Sequence, residues 1–383
     1  MNNFIMKTPL LLLAAAMVFA SCSHSPEVPT IKNDILEVEE VWLDDIATDI
    51  EVQPIVCDYP LETFLIICGS DSVFVALDEN VQTLYYVVDN RVVSKLKTIG
   101  RGPREYRNIT GIAYSAVDKT LYAYSPDRQS IYCYKMPGFE FAGKRDLKQD
   151  VNAMILLDDK NLLLTGYDYD SCANSGIYRY NLESGAAERI IETNYVSNTY
   201  TSTSSFCTKG GSVFFAMPGS GNTIYQYNGS ALQPYAKIDY GSFNFDNDLC
   251  NIDGNKTEDM MKYFSYTEEK DFAIGGYYLD VNDSTITYWH RPHIGKKYRI
   301  YYTVCKDGKS RNFSISIAGL NYKLFPMMIE NGVYTTIIQG DWESKIKPDE
   351  PLSPLAQRIV EAMKNQNDYN PVLLRFRLKS VGT

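Results

Sequence analysis

The sequence lacks the short motifs that accompany the common catalytic folds. Its 383 residues contain no G-x-S-x-G nucleophile turn, no H-E-x-x-H zinc motif, no Walker loop and no dinucleotide-binding glycine pattern. The hydrolase, protease and nucleotide-binding classes therefore have no positive support. Histidine is also scarce, since the chain has three, at His24, His290 and His293.

Positive charge is in deficit along the chain. Lysine and arginine total 37 against 47 aspartates and glutamates, which gives a formal net charge of −10. Nucleic acids and anionic lipid surfaces require a basic field, and an acidic chain does not supply one. We therefore expect no nucleic-acid partner, and expect membrane contact only through a covalent lipid.

The eight cysteines lack the C-x-x-C spacing of zinc and redox sites. Seven remain once Cys22 is set aside, and an odd number cannot all pair. Four of them lie in apolar strand patterns, where a small buried hydrophobic residue is the expected role: Cys68, Cys133, Cys207 and Cys305. We predict no metal site, no thiol chemistry and no cofactor.

One long apolar run is present, near the amino end. Leu10–Ala20 is shorter than the ~20 residues that span a bilayer and is typical of a secretory signal. It ends in Phe19-Ala20-Ser21-Cys22, which resembles a bacterial lipobox. We predict a lipoprotein signal peptide over residues 1–21, a lipid (palmitate) on Cys22 and a flexible tether over residues 22–34. The alternative is an ordinary cleaved signal with a chance cysteine.

The predicted anchor implies a location in the cell envelope, expected to be the outer membrane, with the periplasmic and surface sides both open. Replacing Cys22 by Ser should convert a detergent-extracted membrane protein into a soluble one, because the acyl chains would have no attachment point. Fractionation of cells expressing the two forms measures this. Unchanged membrane partition of the variant would contradict the lipid anchor.

A repeat organises the rest of the chain. An apolar-aromatic segment recurs at Leu84, Ile131, Ile177 and Ile224, so the intervals are 131−84 = 47, 177−131 = 46 and 224−177 = 47. A period of about 40–50 residues with roughly four strands per unit is typical of β-propeller blades. We predict an all-β fold over residues 35–383, a six-bladed β-propeller of four-stranded antiparallel blades.

Two segments interrupt the period. Residues 241–270 and 341–368 contain helical patterns at Thr257–Lys270 and Pro354–Asn365, so we predict two short helical insertions. A propeller ring also has to close, since an open ring would leave two unpaired edges. We expect residues near Ile50–Cys57 to pair with Val372–Leu378 in one blade.

Several segments together resemble the six-bladed β-propeller lipoproteins of Bacteroides-type bacteria, a TolB/NHL-like propeller family. They are Pro60-Leu61-Glu62-Thr63, the run Ile99–Tyr106, the Ile-Tyr-x-Tyr strands, the insertion before unit five and Asn370-Pro371-Val372-Leu373. Within them, Gly100–Tyr106 is similar to the family's G-x-G-P-G-E-Y, with Arg104 in place of the third glycine. The resemblance implies the fold and an envelope location more than a function.

Loops on one face of the predicted ring are long, and we expect the binding site there because functional residues concentrate on such loops. In Gly100–Tyr106, the Arg101 and Arg104 guanidinium groups are candidates for binding a carboxylate or sulfate. Tyr106 is a third candidate. The alternative for this run is a structural turn between blades, which we favour for Glu105 and Tyr106.

Other ligand-binding candidates lie in neighbouring predicted loops. Tyr167-Asp168-Tyr169-Asp170 alternates rings with carboxylates, as sugar-binding surfaces do, or is a solvated acidic loop. Trp342 adds aromatic surface there or packs internally. His290, Arg291 and His293 suggest metal binding or proton transfer, although solvated loop histidines are the commoner case.

These observations favour a lipid-anchored, non-enzymatic propeller that binds a glycan, a peptide or a partner envelope protein at its loop-rich face. The alternative is a propeller lyase or hydrolase acting on acidic polysaccharide. Two carboxylates, or a histidine with an arginine, meeting in one pocket would favour that alternative.

Overall fold

The structure is a computed structural model. It describes residues 28–379 except 62, 71, 168–175, 193–205, 217–221, 245–260, 262–269, 274, 283–284, 291, 296, 325, 331 and 365–369. The predicted signal peptide and Cys22 therefore lie outside the described residues, as does the predicted helix at 257–270 apart from Met261 and Lys270.

The chain forms a six-bladed β-propeller, which confirms the predicted fold class. Three strands precede the first blade: β1 (Thr30–Lys32), β2 (Val38–Trp42) and β3 (Ala47–Pro54), with the short helix α1 (Leu43–Ile46) before β3. Blade one contains β4 (Leu65–Gly69), β5 (Val73–Asp78), β6 (Thr83–Val88) and β7 (Arg91–Leu96). Blade two contains β8 (Gly111–Ser115), β9 (Thr120–Ser125), β10 (Ser130–Lys135) and β11 (Glu140–Asp146). Blade three contains β12 (Asp150–Leu156), β13 (Asn161–Tyr167), β14 (Gly176–Asn181) and β15 (Ala187–Glu192).

The second half of the ring follows the same order. Blade four contains β16 (Phe206–Lys209), β17 (Ser212–Ala216), β18 (Thr223–Tyr227) and β19 (Leu232–Asp239). Blade five contains β20 (Gly275–Asn282), β21 (Thr285–His290), β24 (Tyr301–Lys306) and β25 (Lys309–Ser316), with the small hairpin β22 (His293–Ile294) and β23 (Lys297–Tyr298) inserted after β21. Blade six contains β26 (Met328–Glu330), β27 (Val333–Ile338) and β28 (Val372–Leu378), and the helix α2 (Pro354–Lys364) lies between β27 and β28.

The repeated Ile-Tyr-x-Tyr pattern is explained by the stacking of blades. Side chains of a strand alternate between its two faces, and β10 uses both. On one face of this blade-two strand, Ile131 and Cys133 pack into the apolar cluster between blades two and three. On the other face, Tyr132 and Tyr134 pack into the cluster between blades one and two. Central strands are therefore apolar on both faces, and six such clusters fill the six interfaces between neighbouring blades.

The ring closes through one antiparallel strand pair, as predicted. The last strand, β28, pairs with β3 from Val372 opposite Pro54 to Leu378 opposite Ala47. This completes the fourth strand of blade six and joins the two ends of the chain. Closure removes the two unpaired sheet edges that an open ring would expose.

The segment before the first blade continues around the outside of the ring, and we call residues 30–56 the N-terminal strap. β1 pairs in parallel with β19 of blade four, β2 pairs in parallel with β25 of blade five, and β3 completes blade six. Val56 then forms a parallel bridge to Arg91 of blade one. The tether predicted over residues 22–34 is corrected here, because Thr30–Lys32 are part of a sheet.

Helix α2 confirms the second predicted insertion. Its inward face buries five side chains, Leu355, Ala356, Ile359, Val360 and Met363, in the cluster between blades five and six. Ser353 accepts the Ala356 backbone N–H at 3.1 Å, which satisfies one of the free donors at the helix start. Within the described part of the chain, no helix has the length and apolar character needed to cross a membrane.

A buried hydrogen-bond network attaches the strap to blade five. Asn33 is 3% exposed, and its amide donates to the Tyr288 hydroxyl at 2.7 Å and to Thr303 Oγ1 at 3.3 Å. Asn312 Nδ2 donates to Asn33 Oδ1 at 2.9 Å, and Thr303 Oγ1 donates to Asn312 Oδ1 at 2.7 Å. The four polar side chains thus satisfy one another, as buried polar groups must.

Asn33→Leu keeps the side-chain size but removes these bonds and leaves buried polar partners unsatisfied. We expect the free energy of unfolding to fall by about 2 to 3 kcal/mol, measured by urea denaturation. Lys32→Ala, which removes an exposed side chain of the same strap, should change it by less than about 0.5 kcal/mol. Equal stability of the two variants would show that the network does not hold the strap.

Candidate functional site

The first strands of the six blades surround the axis of the ring and enclose a cavity of about 750 Å³, which we call the channel cavity. β4, β8, β12, β16, β20 and β26 all contribute lining residues. A rigid wall built from six sheets positions side chains more precisely than loops do. The volume lies within the ~300–1,000 Å³ range of small-molecule sites.

The channel cavity reaches the face of the ring that carries the turns between first and second strands, which we call the turn face. Ser70, Ala116 and Lys119, all in such turns, contribute to its lining. The long loops of the sequence predict a site on the opposite, loop-rich face. The channel cavity therefore opens at the turn face, which is the opposite end of the channel from the predicted site.

The wall presents nearly as much polar as apolar surface, with a pair of tyrosines on one side. Ile67, Ile112 and Ile155 come from blades one, two and three. The hydroxyls of Tyr86 and Tyr114 lie 3.3 Å apart, and their rings meet edge to face at 6.0 Å. Burial raises the pKa of Tyr114, so its hydroxyl remains a neutral hydrogen-bonding group at physiological pH.

Two carboxylates belong to the lining, one each in blades five and six. Asp280 of β20 is 7% exposed, and the Cys207 thiol of blade four donates to its Oδ1 at 4.0 Å. Burial raises the pKa of Asp280, and the nearby Lys209 ammonium partly opposes that rise. Glu330, the last residue of β26, is half-buried. The cavity is thus acidic where blades five and six meet.

One basic side chain belongs to the lining, on the far side of the axis. Lys119 is exposed, and its turn in blade two lies across the ring from blade five, because blades that are three apart in a six-bladed ring face each other. Within the described residues, Lys119 takes part in no salt bridge. Charges of opposite sign therefore stand at opposite sides of the channel.

The cysteines fit the expectation of isolated small side chains. The five that are described are free thiols: Cys57, Cys68, Cys133, Cys207 and Cys305. Burial raises the pKa of Cys68 to about 12 and that of Cys207 to about 11. In the described ranges, no three His, Cys, Asp or Glu side chains are grouped as a metal site.

The glycine-rich run predicted as an anion site forms a compact loop between blades one and two. The Glu105 carboxylate accepts the Gly102 N–H at 2.6 Å, and a Cβ on Gly100 would collide with that carboxylate. The Arg104 guanidinium stacks over Phe141 of the outermost strand of blade two, at 5.0 Å from the ring centre. Arg101 is exposed. Across the described residues, neither arginine forms a salt bridge, so an anion-binding role for either one stays a prediction. The Arg104 guanidinium lies away from the ring axis, over the outermost strand of blade two.

Tyr106 requires a correction as a ligand-binding candidate. Its side chain is fully buried in the cluster between blades one and two, at the edge of the Tyr132 ring. Its backbone N–H donates to Thr98 O at 3.1 Å. The structural alternative for this residue therefore holds, and Tyr106 joins two blades.

Of the remaining candidates, the structure describes the side chains of His293 and Trp342. Asp168, Tyr169, Asp170 and Arg291 lie outside the described residues, as do the side chains of Tyr167 and His290. His293 is 6% exposed and stacks on Phe272 at 5.2 Å, so it is a packing residue and not a surface ligand. Trp342 packs beside helix α2, with Lys364 Nζ 4.1 Å from its ring centre.

Asp280, Glu330 and Lys119 line the cavity but were not predicted as site residues from the sequence. Asp280 follows Lys119 by 280−119 = 161 residues and precedes Glu330 by 330−280 = 50, and only the closed ring brings them to one cavity. One signal was available, since Asp280 and Glu330 lie close to the turn-face ends of first strands, and these strands line the channel of any propeller.

A model of the family described as a domain of unknown function (DUF4934) matches residues 70–377, which is more than half of the chain. The chain belongs to this family. No protein with a curated description matches the sequence. The lipoprotein and TolB/NHL-like assignments are not part of this match and stay predictions.

Two solved structures share the fold of this DUF4934 protein. One is a Bacteroides fragilis NCTC 9343 protein provisionally named as exported, with a TM-score of 0.69 and 16% identity over 92% of this chain and 99% of that chain. The other is a DUF4221 family member from Bacteroides vulgatus ATCC 8482, with a TM-score of 0.50 and 8% identity over 87% of this chain and 98% of that chain. Identities this low show a common fold alone.

The cavity thiols give a test of the cavity's environment. Because the thiolate is the reactive form, Cys207 in the folded DUF4934 protein should react with iodoacetamide at pH 8 roughly a hundredfold more slowly than in the unfolded chain. Its rate should still rise about tenfold per pH unit up to pH 10, whereas the unfolded thiol levels off near its ordinary pKa. Mass spectrometry of the Cys207 peptide measures both. A folded rate that levels off as early as the unfolded one would contradict the raised pKa.

Proposed function

We propose that this DUF4934 protein is a ligand-binding β-propeller of the bacterial cell envelope, whose ligand occupies the channel cavity. The observation that carries the proposal is the cavity itself, a space of about 750 Å³ that combines apolar side chains with polar groups at defined positions. That combination is the usual form of a binding site for a small molecule or for one segment of a larger one.

The envelope location rests on the amino-terminal sequence. Leu10–Ala20 has the length and character of a secretory signal, and Cys22 stands where a lipidated cysteine would. The Bacteroides fragilis protein of the same fold is provisionally named as exported. We propose a lipid anchor at Cys22, in the outer membrane, followed by seven residues that lead to the strap at Thr30.

A binding role without catalysis is the form that we favour. The sequence has no catalytic motif, and His293, one of the few histidines, is packed against Phe272. The polar groups of the cavity already contact one another, as in the Tyr86–Tyr114 pair and the Cys207–Asp280 pair. Glycans, peptides and exposed segments of envelope proteins are the ligand classes to consider.

One observation supports a second candidate, a hydrolase or lyase acting on acidic polysaccharide. Asp280 and Glu330 line the same cavity, and burial raises the pKa of Asp280, as a general acid requires. Incubation with polygalacturonate or hyaluronan followed by a reducing-end assay separates the two candidates. Product that disappears with Asp280→Asn would support catalysis, and no product supports a binding role.

Blocking the channel cavity tests the binding proposal. Thr208 is an exposed lining residue of β16, so Thr208→Trp should narrow the cavity without disturbing the core. Ligands found by thermal-shift screening of oligosaccharides and oligopeptides should bind this variant at least about tenfold more weakly by calorimetry, because a lost contact surface worth ~1.4 kcal/mol has that effect.

The matched control is Gln233→Trp, which places the same ring at an exposed position of β19, the fourth strand of the same blade. It should bind these ligands as the unmodified protein does. If Thr208→Trp leaves the affinity of every ligand unchanged, the ligand lies elsewhere and the channel cavity is not the site.

A further inference from the structure

The outer edge of blade two is open, in contrast to the edges that the strap covers. Among the described residues, β11 pairs with β10 alone, and no isolated bridge or backbone hydrogen bond from another segment reaches it. The outer strands of blades four and five are covered by β1 and β2. An open edge presents unpaired backbone N–H and C=O groups, with which an extended segment of another chain can pair.

Blade four shows which part of such an edge accepts a strand. A β-bulge at Tyr235 interrupts the pairing of β19 with β18, and β1 pairs with Lys237–Asp239, shortly after the bulge. β11 has the same kind of bulge, at Ala142. The residues that correspond to the paired segment of β19 are Lys144–Asp146, so the backbone of blade two offers the same pairing surface.

The bulge of β11 also places an aromatic ring and a lysine on one face of the open edge. Phe141 lies opposite Tyr134, and Lys144 lies opposite Tyr132. Opposite residues of a strand pair share a face, so Phe141 and Lys144 both face blade one, whereas a regular strand would place them on opposite faces. The exposed Arg104 guanidinium, which forms no salt bridge with any described residue, covers the Phe141 ring. Two exposed basic groups therefore stand on one face of the edge.

Blade five shows how an arginine of this kind binds an added strand. Arg311 stacks over Phe313 of the outer strand β25, at 5.1 Å from the ring centre. Glu39 of β2 lies opposite Phe313, and its carboxylate accepts Arg311 Nε at 3.0 Å and Arg311 Nη2 at 2.7 Å. Such a two-bond contact fixes the position of the carboxylate. Arg104, stacked over Phe141, offers the same type of contact at the open edge of blade two.

We propose that the edge Phe141–Asp146 binds an extended acidic segment of a partner protein, which adds to blade two as a fifth strand parallel to β11. Backbone pairing would supply the hydrogen bonds, as in other cases of strand addition. Carboxylates at alternate positions of the segment would contact Arg104 and Lys144, because alternate side chains of a strand lie on the same face. This site is separate from the channel cavity and does not depend on a ligand there.

The Asp146 carboxylate specifies the end of the partner segment. It is 81% exposed and contacts Lys144 Nζ at 3.0 Å, an exposed ion pair that leaves Lys144 able to bind a second carboxylate. A further carboxylate beside Asp146 itself would be repelled. In blade four, Lys32 of β1 lies opposite Asp239, which occupies the same place in β19. The segment therefore has acidic residues at two alternate positions, followed at the next alternate position by a basic residue.

A capped heptapeptide, acetyl-Thr-Glu-Thr-Glu-Thr-Lys-Thr-amide, tests the proposal by calorimetry on the full folded chain. It should bind at least about tenfold more tightly than its charge-swapped form, acetyl-Thr-Lys-Thr-Lys-Thr-Glu-Thr-amide, because only the first places opposite charges side by side. The double variant Arg104→Glu, Lys144→Glu should reverse this preference. Lys309→Glu, which changes an exposed lysine of blade five, should keep it, as should Thr208→Trp in the channel cavity.

Backbone pairing is tested on the unmodified protein with two N-methylated forms of the acidic peptide. One form carries the methyl groups on the backbone nitrogens of its threonines, and the other carries them on those of its charged residues. Successive N–H groups of a strand point to opposite edges, so one form should lose binding at least about tenfold and the other should keep it. Equal binding of the two forms would show attraction by surface charge alone and would overturn the fifth strand.

The proposal is also overturned if neither heptapeptide binds the unmodified protein or if both bind it equally. Light scattering of the protein alone should show a monomer. A dimer that the double variant Arg104→Glu, Lys144→Glu dissociates would assign the edge to a second copy of this chain, whose strap carries Glu37, Glu39 and Glu40, and would refute the partner protein as its occupant.

Discussion

The stability of the fold depends on the burial of both faces of every blade against its two neighbours. A four-stranded sheet with apolar side chains on both faces is stable only when neighbours cover those faces, and the six apolar clusters between blades provide that cover. Because each blade needs two neighbours, the ring has to close, and the pairing of β28 with β3 closes it. The channel cavity is a consequence, since six inner strands that meet around an axis cannot fill its centre completely.

The N-terminal strap pairs with the outer strands of several neighbouring blades in addition to closing the ring. Its pairing with blades four, five, six and one protects sheet edges that would otherwise be open to other chains. Asn33 holds the strap through buried hydrogen bonds. The exposed ion pairs of the strap, such as Glu39 with Arg311 at 2.7 Å, add little stability in water. A lipid at Cys22 would therefore be attached to a firmly fixed part of the rim, while the inner wall remains available for a ligand.

The sequence was sufficient for features with local signals. The repeat predicted the blades, the carboxy-terminal strand predicted ring closure, and the helical pattern after Pro354 predicted α2. It was insufficient where tertiary contacts determine the burial of a side chain or the pairing of a strand. Tyr106 follows a glycine-rich turn that suggests exposure, yet its ring fills the interface between blades one and two. Thr30–Lys32 is too short to read as a strand without its partner β19, and Asp280 and Glu330 become neighbours only through the ring.

Methyl NMR with [methyl-¹³C]methionine tests the central claim, that ligands bind inside the channel, most directly. Met154, Met327 and Met328 line the cavity, whereas Met136 and Met363 are buried in clusters between blades. Titration with the oligosaccharides and oligopeptides that shift the melting temperature should move the signals of the first three methionines and leave the last two in place. Ligand binding that leaves the signals of Met154, Met327 and Met328 unchanged would contradict a site in the channel.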